Sequence, residues 1–249
     1  MEFDPLAGPS LEDVRRARKA WMAEPPRGYL LMFDEEDVEQ PHVMAGDHHV
    51  PGAECPTCNK PLMRLLTLDT SRLPFVLDPA PPAFLHLFYC WTCAIPFDFF
   101  AYRIDDSGGV EIVSYLKEYS GAFGPEGPYD GYTGVFPEAR ASLRPLTDEE
   151  EERVLLLRAE QVDETPEDRL LNDVCHQIGG FPMIFNEMEE VLCPACSAPA
   201  PFFATICDNV GCQGNNYSAE HTFTGNIGVQ MVFHWCGPCS VMTAYHSCG

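Results

Sequence analysis

The last third of this chain has no positively charged side chain other than histidine. Arg169 is the final basic residue, and no lysine or arginine occurs from Leu170 to Gly249. The whole chain of 249 residues has 15 lysines and arginines against 38 aspartates and glutamates, a formal net charge of −23. Nucleic-acid binding needs cations that displace the counterions on phosphate. We therefore expect no direct DNA or RNA binding. The charge favours a basic protein partner, or it serves only solubility, as in a halotolerant organism.

Long apolar runs and a secretory leader are also missing. No apolar stretch reaches the roughly 18 residues that a membrane-spanning helix needs. The first five residues, Met1 to Pro5, lack both the basic start and the apolar core of a signal peptide. We expect a cytoplasmic protein without a membrane partner, in which twelve cysteines indicate metal binding more than disulfides. Nothing in the sequence fixes an oligomeric state.

The sequence signatures of several common enzyme classes are absent. The chain has no G-x-x-x-x-G-K-S/T, no G-x-G-x-x-G, no G-x-S-x-G and no H-E-x-x-H. Its carboxylates occur mostly in runs, and no pair has a spacing that indicates acid–base catalysis. These absences favour a non-catalytic binding protein. An enzyme whose pocket is assembled only in three dimensions stays open as the alternative.

Four Cys-x-x-Cys pairs are present, and they form two sets in the same order. The first set is Cys55, Cys58, Cys90 and Cys93, and the second is Cys193, Cys196, Cys236 and Cys239. Each set begins with Cys-Pro-x-Cys and ends where an apolar, strand-like segment runs into the second pair. Two cysteines three residues apart on a tight turn direct both thiolates to one point, and two such turns complete the tetrahedron that Zn²⁺ accepts. The pattern predicts two structural zinc ribbons with two Zn²⁺ per chain.

The last pair lies in Trp235-Cys-Gly-Pro-Cys239, which is also the thioredoxin active-site sequence. That activity needs the first thiol at a helix N-terminus, where the dipole lowers its pKa. The ten residues after Cys239 show no helical period and predict no further strand, so the rest of a βαβ fold is missing. We interpret the pair as zinc ligands. A thiol oxidoreductase, a disulfide and unmetallated thiols are the alternatives.

Four segments are predicted along the chain. They are 1–41, an N-terminal helix and a strand at Tyr29–Phe33; 42–120, the first zinc-ribbon-like repeat; 121–169, a Pro/Gly-rich connector and a helix; and 170–249, the second repeat. A hairpin turn is predicted at residues 105–109, and Thr147 with Glu150 forms a capping box for the central helix. The predicted fold class is α+β, mainly β. It consists of internally duplicated β-rich lobes, each with a four-cysteine site, plus the N-terminal and central helices.

Four cysteines lie outside the two sets: Cys175, Cys207, Cys212 and Cys248. A third metal site with a histidine as one ligand is conceivable, but the spacing favours buried small hydrophobic residues. His86 and His234 fall on the apolar strands beside the cysteine pairs, and we interpret them as strand-face residues and not as ligands.

A local motif adds a resemblance. The segment His176-Gln-Ile-Gly-Gly-Phe-Pro182 resembles the Ile-Gly-Gly-Tyr-Pro signature of the YwqG-like family, a branch of the TYPP superfamily that includes the programmed-cell-death-2-like proteins. Leu192–Cys196 and Gly228–Cys236 resemble that family's cysteine segments, and Cys55–Arg103 resembles the programmed-cell-death-2-like pattern. The departure is at 48–51, where His-His-Val-Pro stands in place of a Gly-Gly-x-Pro. The resemblance implies a duplicated, β-rich fold that acts through protein binding, in eukaryotic relatives as a chaperone for a basic ribosomal protein.

Overall fold

The fold is seen in a computed structural model, which describes residues 27–33, 39–90, 100–115, 138–152, 176–182, 190–207 and 229–248. Within these ranges, eleven strands form one antiparallel sheet in the order β4-β3-β2-β7-β1-β8-β9-β10-β11-β5-β6. The strands are β1 Tyr29–Phe33, β2 His42–Met44, β3 Met63–Asp69, β4 Phe84–Tyr89, β5 Phe100–Ile104, β6 Val110–Ser114, β7 Ala139–Pro145, β8 Gln177–Ile178, β9 Phe202–Cys207, β10 Val229–Cys236 and β11 Val241–Cys248. The prediction of a mainly β fold is confirmed, and one continuous sheet carries the strands that were assigned to separate lobes.

Strand β7 corrects the interpretation of residues 121–145 as a connector. It pairs with β1 on one side and with β2 on the other, so it is a central strand of the sheet. Ala139, Ala141 and Leu143 face the core and alternate with Arg140, Ser142 and Arg144. This period of two is typical of a strand. The signal in the sequence is weak, because the core-facing residues are mostly small alanines and the outward ones include arginines.

The sheet is curved, so that the edge strand β4 approaches β5 and β11, which lie near the opposite edge. β4 contacts β5 and β11 although it pairs with neither. The Tyr102 hydroxyl makes the link, because it accepts a hydrogen bond from the Phe88 N–H (2.7 Å) and donates one to the His86 carbonyl (2.8 Å). Burial raises the pKa of Tyr102, so this hydroxyl stays protonated and able to donate.

The sheet encloses one main core of apolar side chains. Its members include Leu31, Phe33, Met44, Leu66, Leu68, Leu85, Leu87, Phe88, Ile206, Met231, Phe233, Trp235 and Met242. On β10 the alternation places Met231, Phe233 and Trp235 in this core, and Cys236 belongs to a second, smaller cluster. Strand alternation therefore separates the core from the cysteine site at the end of the same strand.

Several local predictions are confirmed. β1 spans the predicted Tyr29–Phe33, and β5 pairs with β6 as the predicted hairpin. The Asp105 carboxylate accepts hydrogen bonds from the Ser107 and Gly109 backbone N–H groups, which fixes the hairpin turn. Thr147 and Glu150 form the capping box, and residues 148–152 are helical. The rest of that helix and the predicted N-terminal helix lie outside the described residues. No helix in the described ranges is long and apolar enough to cross a bilayer.

The same hydrogen-bond register occurs on both sides of the sheet. Met44 pairs with Leu66 across β2 and β3, and Ile178 pairs with Ala204 across β8 and β9 in the same way. Both β3–β4 and β9–β10 then contain a register shift just before their cysteine end. The two strand pairs therefore have matching geometry.

A histidine and a turn with positive φ angles also occur on both sides. Nδ1 of His42 accepts the backbone N–H at the end of β3, and Nδ1 of His176 accepts the backbone N–H at the end of β9. Three residues after each histidine, two consecutive residues have positive φ: Ala45 and Gly46 in one case, Gly179 and Gly180 in the other. Ala45-Gly46 therefore lies at the same place relative to its histidine as Gly179-Gly180 does, and it lies upstream of the His48–Pro51 segment.

Candidate metal centres

The first cysteine turn, residues 54–61, is called the first knuckle here. The Cys55 N–H donates to the Lys60 carbonyl and the Asn59 N–H donates to the Cys55 carbonyl, both at 2.8 Å. Asn59 takes a φ of 55°, and Glu54 bridges to Pro61. An asparagine tolerates this left-handed conformation better than most residues. The turn therefore places Cys55 and Cys58 on the same side.

The second cysteine turn, residues 192–199, is the second knuckle, and it has the same hydrogen bonds. The Cys193 N–H donates to the Ala198 carbonyl at 2.8 Å, and the Ser197 N–H donates to the Cys193 carbonyl at 2.7 Å. Ser197 has a φ of 59°, and Leu192 bridges to Pro199. The backbone of the two knuckles is thus equivalent at each of these positions.

One further cysteine of each set stands at the end of a strand. Cys90 follows β4 directly, and Cys236 is the last residue of β10. After Cys236 the chain makes a single 3-10 turn at Gly237–Cys239 and leaves it through Ser240, which has a φ of 50°. This turn brings Cys239 back toward Cys236 before β11 begins.

All four sulfurs of the second set converge. Those of Cys193, Cys196, Cys236 and Cys239 lie within 4.8 Å of one another, and the Cys196 and Cys236 sulfurs are 3.8 Å apart. A Zn²⁺ ion with bonds of about 2.3 Å to a sulfur tetrahedron requires sulfurs about 3.8 Å apart. A disulfide would require about 2.05 Å, and these cysteines are free thiols. The donor set and its spacing therefore fit a tetrahedral metal ion.

Three sulfurs of the first set converge in the same manner. Those of Cys55, Cys58 and Cys90 lie within 4.8 Å of one another, with 3.7 Å between Cys58 and Cys90. Cys93, the predicted fourth ligand, lies outside the described residues. Both groups could therefore hold a metal ion, one with four described cysteines and one with three.

The electrostatics of each group are compatible with a bound cation. In the first group, the Cys90 thiol and the backbone N–H groups of Cys58 and Thr57 stabilise the Cys55 thiolate and lower its pKa to about 5, although burial opposes this. In the second, hydrogen bonds from the Ala198 N–H and neighbouring thiols lower the pKa of Cys196. Without a cation, four thiols this close cannot all ionise, because each new thiolate is repelled by the first.

In the Trp-Cys-Gly-Pro-Cys segment, the pKa of the first cysteine is raised, whereas the pKa of an activated nucleophilic cysteine is lowered. Cys236 is 4% exposed, and burial raises its pKa to about 12. It ends a strand and precedes one 3-10 turn, so no α-helix dipole acts on it. The glycine at position 237 is explained by local packing, since a Cβ there would lie 2.9 Å from Cδ of Pro79 and 3.1 Å from the Asp78 carbonyl oxygen.

The residues after Cys239 correct a further expectation. They form strand β11, although the sequence predicted no strand there. β11 pairs with β10 over its whole length and with β5 on its other side. Met242 and Ala244 pack in the main core, and Val241 and Tyr245 pack in the second, smaller cluster. Both faces of the strand therefore carry apolar residues, and the sequence shows no alternation that would indicate a strand.

The β5–β6 hairpin bonds to the second cysteine group and to the loop before the first knuckle. On one side the Ile104 N–H donates to the Ser240 carbonyl (3.0 Å), and the Arg103 guanidinium donates to the Cys239 carbonyl (3.3 Å). On the other side the Val110 N–H donates to the Pro51 carbonyl (2.8 Å), in the loop that leads into the first knuckle. Sequence reasoning gave Arg103 no role at the second group, because only the strand order brings it there.

The other predicted site residues have local partners. Nδ1 of His86 lies 2.9 Å from the Thr67 hydroxyl, and Nδ1 of His234 lies 2.9 Å from the Ala200 carbonyl oxygen. Both are strand-face histidines, as predicted. Cys207 is buried and accepts a hydrogen bond from Nε2 of Gln230 at 3.3 Å, apart from both groups. The side chains of Cys175, Cys212 and Cys248 lie outside the described residues, so the question of a third site is untested.

One open cleft lies away from the cysteine groups, and its volume is about 370 Å³. Its polar lining includes Glu39, His42, Ser71, Arg72 and Ser142. Burial lowers the pKa of His42 to about 4, and Arg72 is ion-paired with Glu39. A neutral, weakly basic imidazole beside a neutralised arginine does not form an acid–base pair poised near neutral pH.

Comparisons with protein-family models, with curated proteins and with solved structures found no match to this chain.

Proposed function

We propose that the chain is a non-catalytic, zinc-stabilised scaffold that binds a basic protein. The observation that carries the proposal is the convergence of Cys193, Cys196, Cys236 and Cys239 within 4.8 Å. A shell of four cysteines is closed, because no coordination position is left for substrate, and such sites are structural. Cys55, Cys58, Cys90 and Cys93 would hold a second Zn²⁺ in the same way. Each ion would join a knuckle to the end of a strand.

We propose further that the two halves arose by internal duplication. Support comes from the equal backbone hydrogen bonds of the two knuckles and from the equal register of β2–β3–β4 and β8–β9–β10. The paired histidines at the strand ends point the same way. Such agreement is what the YwqG-like resemblance implies for the fold.

The charge supports a basic partner. Each arginine in the described ranges is in an ion pair with a carboxylate: Arg27 with Asp148, Arg64 and Arg140 with Glu138, Arg72 with Glu39, Arg103 with Glu111, and Arg144 with Glu150. The arginines of the described ranges are therefore neutralised locally, and the net charge of the chain, −23, leaves a large excess of carboxylates. A field of this sign attracts and orients a Lys/Arg-rich protein. A chaperone or masking role in the cytoplasm follows.

Two measurements on purified, full-length protein test this function. Elemental analysis should give two zinc ions per chain. Immobilised poly-L-lysine should retain the protein at low salt and release it as salt screens the attraction, whereas immobilised poly-L-glutamate should not retain it. Fewer than two metal ions would contradict the zinc assignment, and equal behaviour on the two resins would contradict the basic partner.

A further inference from the structure

The two knuckles share a backbone but differ in their outward side chains. Glu54 and Leu192 occupy the same position, since each bridges to a proline seven residues later. At the tip, Thr57 of the first knuckle corresponds to Ala195 of the second. Before the proline, Lys60 corresponds to Ala198, whose carbonyl accepts the same hydrogen bond from the first cysteine. The first knuckle is polar and charged, and the second is uncharged and apolar.

The fold does not require the apolar character of the second knuckle. Leu192 is 47% exposed and is one of three large apolar side chains that are exposed in the described ranges, with Val76 and Phe84. Pro194, Ala195, Ala198 and Pro199 around it are exposed as well. Glu54 shows that a charged residue satisfies the same bridge. The exposed apolar side chains of the second knuckle are therefore not needed to form the turn.

We propose that the second knuckle is a docking surface for a Lys/Arg-rich polypeptide segment that carries an apolar anchor residue. The inference rests on the proposed function and locates it on the molecule. The anchor would pack on Leu192 and Ala195, and the basic residues would lie beside the exposed residues Cys196 and Glu190. A four-thiolate zinc centre bears a formal charge of about −2, which strengthens the attraction for cations beside it.

Charge complementarity selects this occupant over a second copy of the chain. Two copies, each with a net charge of −23, repel one another, and the apolar knuckle alone is much smaller than a stable interface of roughly 800 Å² per partner. A basic segment gains from the same field that opposes self-association. The apolar anchor supplies the specificity that charge alone lacks.

Because the two knuckles have the same backbone, the side chains of one can be transferred to the other as a test. The variant Leu192→Glu/Ala195→Thr/Ala198→Lys gives the second knuckle the side chains of the first, and its net charge is unchanged. The control, Glu54→Leu/Thr57→Ala/Lys60→Ala, gives the first knuckle the side chains of the second, also without a change in net charge. Both variants keep all cysteines, so zinc content and melting temperature should equal those of the wild type.

The probes are two fluorescein-labelled peptides of twelve residues, one with ten lysines and two central leucines and one with serines in place of the leucines. The wild type should bind the leucine peptide about tenfold more tightly than the serine peptide, the value expected for burying a leucine side chain in part. The control variant, which then has two apolar knuckles, should keep at least this preference. The exchanged second knuckle should lose this preference and keep its affinity for the serine peptide. Fluorescence anisotropy at 50 and 300 mM salt measures both.

Equal affinities of the exchange variant and the wild type for the leucine peptide would overturn the docking surface while leaving the basic partner intact. Absence of binding to either peptide at 50 mM salt would overturn the proposed function itself. Self-association of the wild type that the exchange abolishes would assign the surface to a second copy, and binding to phosphatidylcholine vesicles that the exchange abolishes would assign it to a membrane; each overturns the proposal. If the triple variant loses zinc, Leu192→Glu and Leu192→Ser alone give the same readouts.

Discussion

The hydroxyl of Tyr102 lies 2.7 Å from the backbone nitrogen of Phe88, and it makes hydrogen bonds that a neighbouring strand would otherwise make. Among the described strands, β4 pairs with β3 alone, whereas β10 has β9 on one side and β11 on the other. On the open side of β4, one phenol satisfies the Phe88 N–H and the His86 carbonyl. A buried sheet edge needs such partners, because its unpaired backbone groups are costly.

Replacing Tyr102 with Phe should therefore destabilise the protein by about 2 kcal/mol or more, since it leaves two buried backbone groups without a partner and each costs about 1–3 kcal/mol. The matched control is Tyr29→Phe, whose hydroxyl is exposed and lies 3.5 Å from the Pro74 carbonyl oxygen. We expect the control to change stability by less than about 0.5 kcal/mol. Urea denaturation measures both, and equal midpoints for the two variants would contradict this role of Tyr102.

Stability should fall as the pH drops below neutrality. Burial lowers the pKa of His176 to about 3 and the pKa values of His42 and His86 to about 4, so these side chains are neutral in the fold. The unfolded chain, with pKa values near 6.5, binds more protons as the pH falls, and the free energy of unfolding therefore decreases from about pH 6.5 downward. Each such histidine contributes about 1.5 kcal/mol of this loss between pH 6.5 and 5.

The variant His176→Asn tests this titration. The Asn Oδ1 can accept the Cys207 N–H in place of Nδ1, and Asn tolerates the φ of 51° at this position. The variant should start less stable and lose less stability between pH 7.5 and 5, while His49→Asn, at an exposed site, should behave as the wild type does. A slope unchanged in His176→Asn, at constant zinc content, would exclude the histidine as its source.

Replacing Cys193 with Ser should unfold the second half or make the protein insoluble. Structural zinc binding contributes roughly 10 kcal/mol or more in small domains, comparable to the net stability of about 5–15 kcal/mol for a whole domain. A chelator should lower the melting temperature of the wild type sharply. The control is Cys207→Ser, outside both groups, which retains a hydrogen-bond acceptor for Gln230. If Cys193→Ser melted as the wild type does, zinc would not be structural at this site.

Two glycines with similar backbone angles should respond differently to alanine. Gly52 and Gly108 have φ of 77° and 83°. A Cβ at Gly108 meets nothing within 4 Å, so Gly108→Ala should cost only the backbone strain of about 1–2 kcal/mol. A Cβ at Gly52 would overlap the Val110 carbonyl oxygen, so Gly52→Ala should cost distinctly more and weaken zinc binding at the first group. Urea midpoints and zinc retention in a chelator competition check the difference.

The charge predicts which macromolecules bind. With a net charge of −23 and no lysine or arginine after Arg169, the protein should show no measurable affinity for DNA or RNA at physiological ionic strength. Association with Lys/Arg-rich proteins should weaken as salt is added. Micromolar affinity for a nucleic acid in an anisotropy assay would overturn this prediction. Partner binding that ignores salt would show that apolar contact, and not charge, dominates.

The sequence predicted those features that depend on local spacing. Cysteines three residues apart, the turn at Asp105 and the capping box at Thr147 are local, and the structure contains each of them. Features that depend on strand order were not predictable. The central place of β7, the position of Arg103 beside Cys239 and the hydroxyl of Tyr102 on the β4 edge all join residues far apart in sequence.

Strand β11 also sets a condition on the order in which the protein can be made and folded. It supplies one neighbour of β5, yet it is synthesised long after the β5–β6 hairpin has left the ribosome. β1 likewise pairs with β7 and β8, which are synthesised much later than β1. The early strands of the nascent chain therefore have open sides until the late ones arrive, and such non-local pairing folds slowly and exposes sheet edges. We expect a nascent chain that ends before β11 to depend on other proteins to stay out of aggregates.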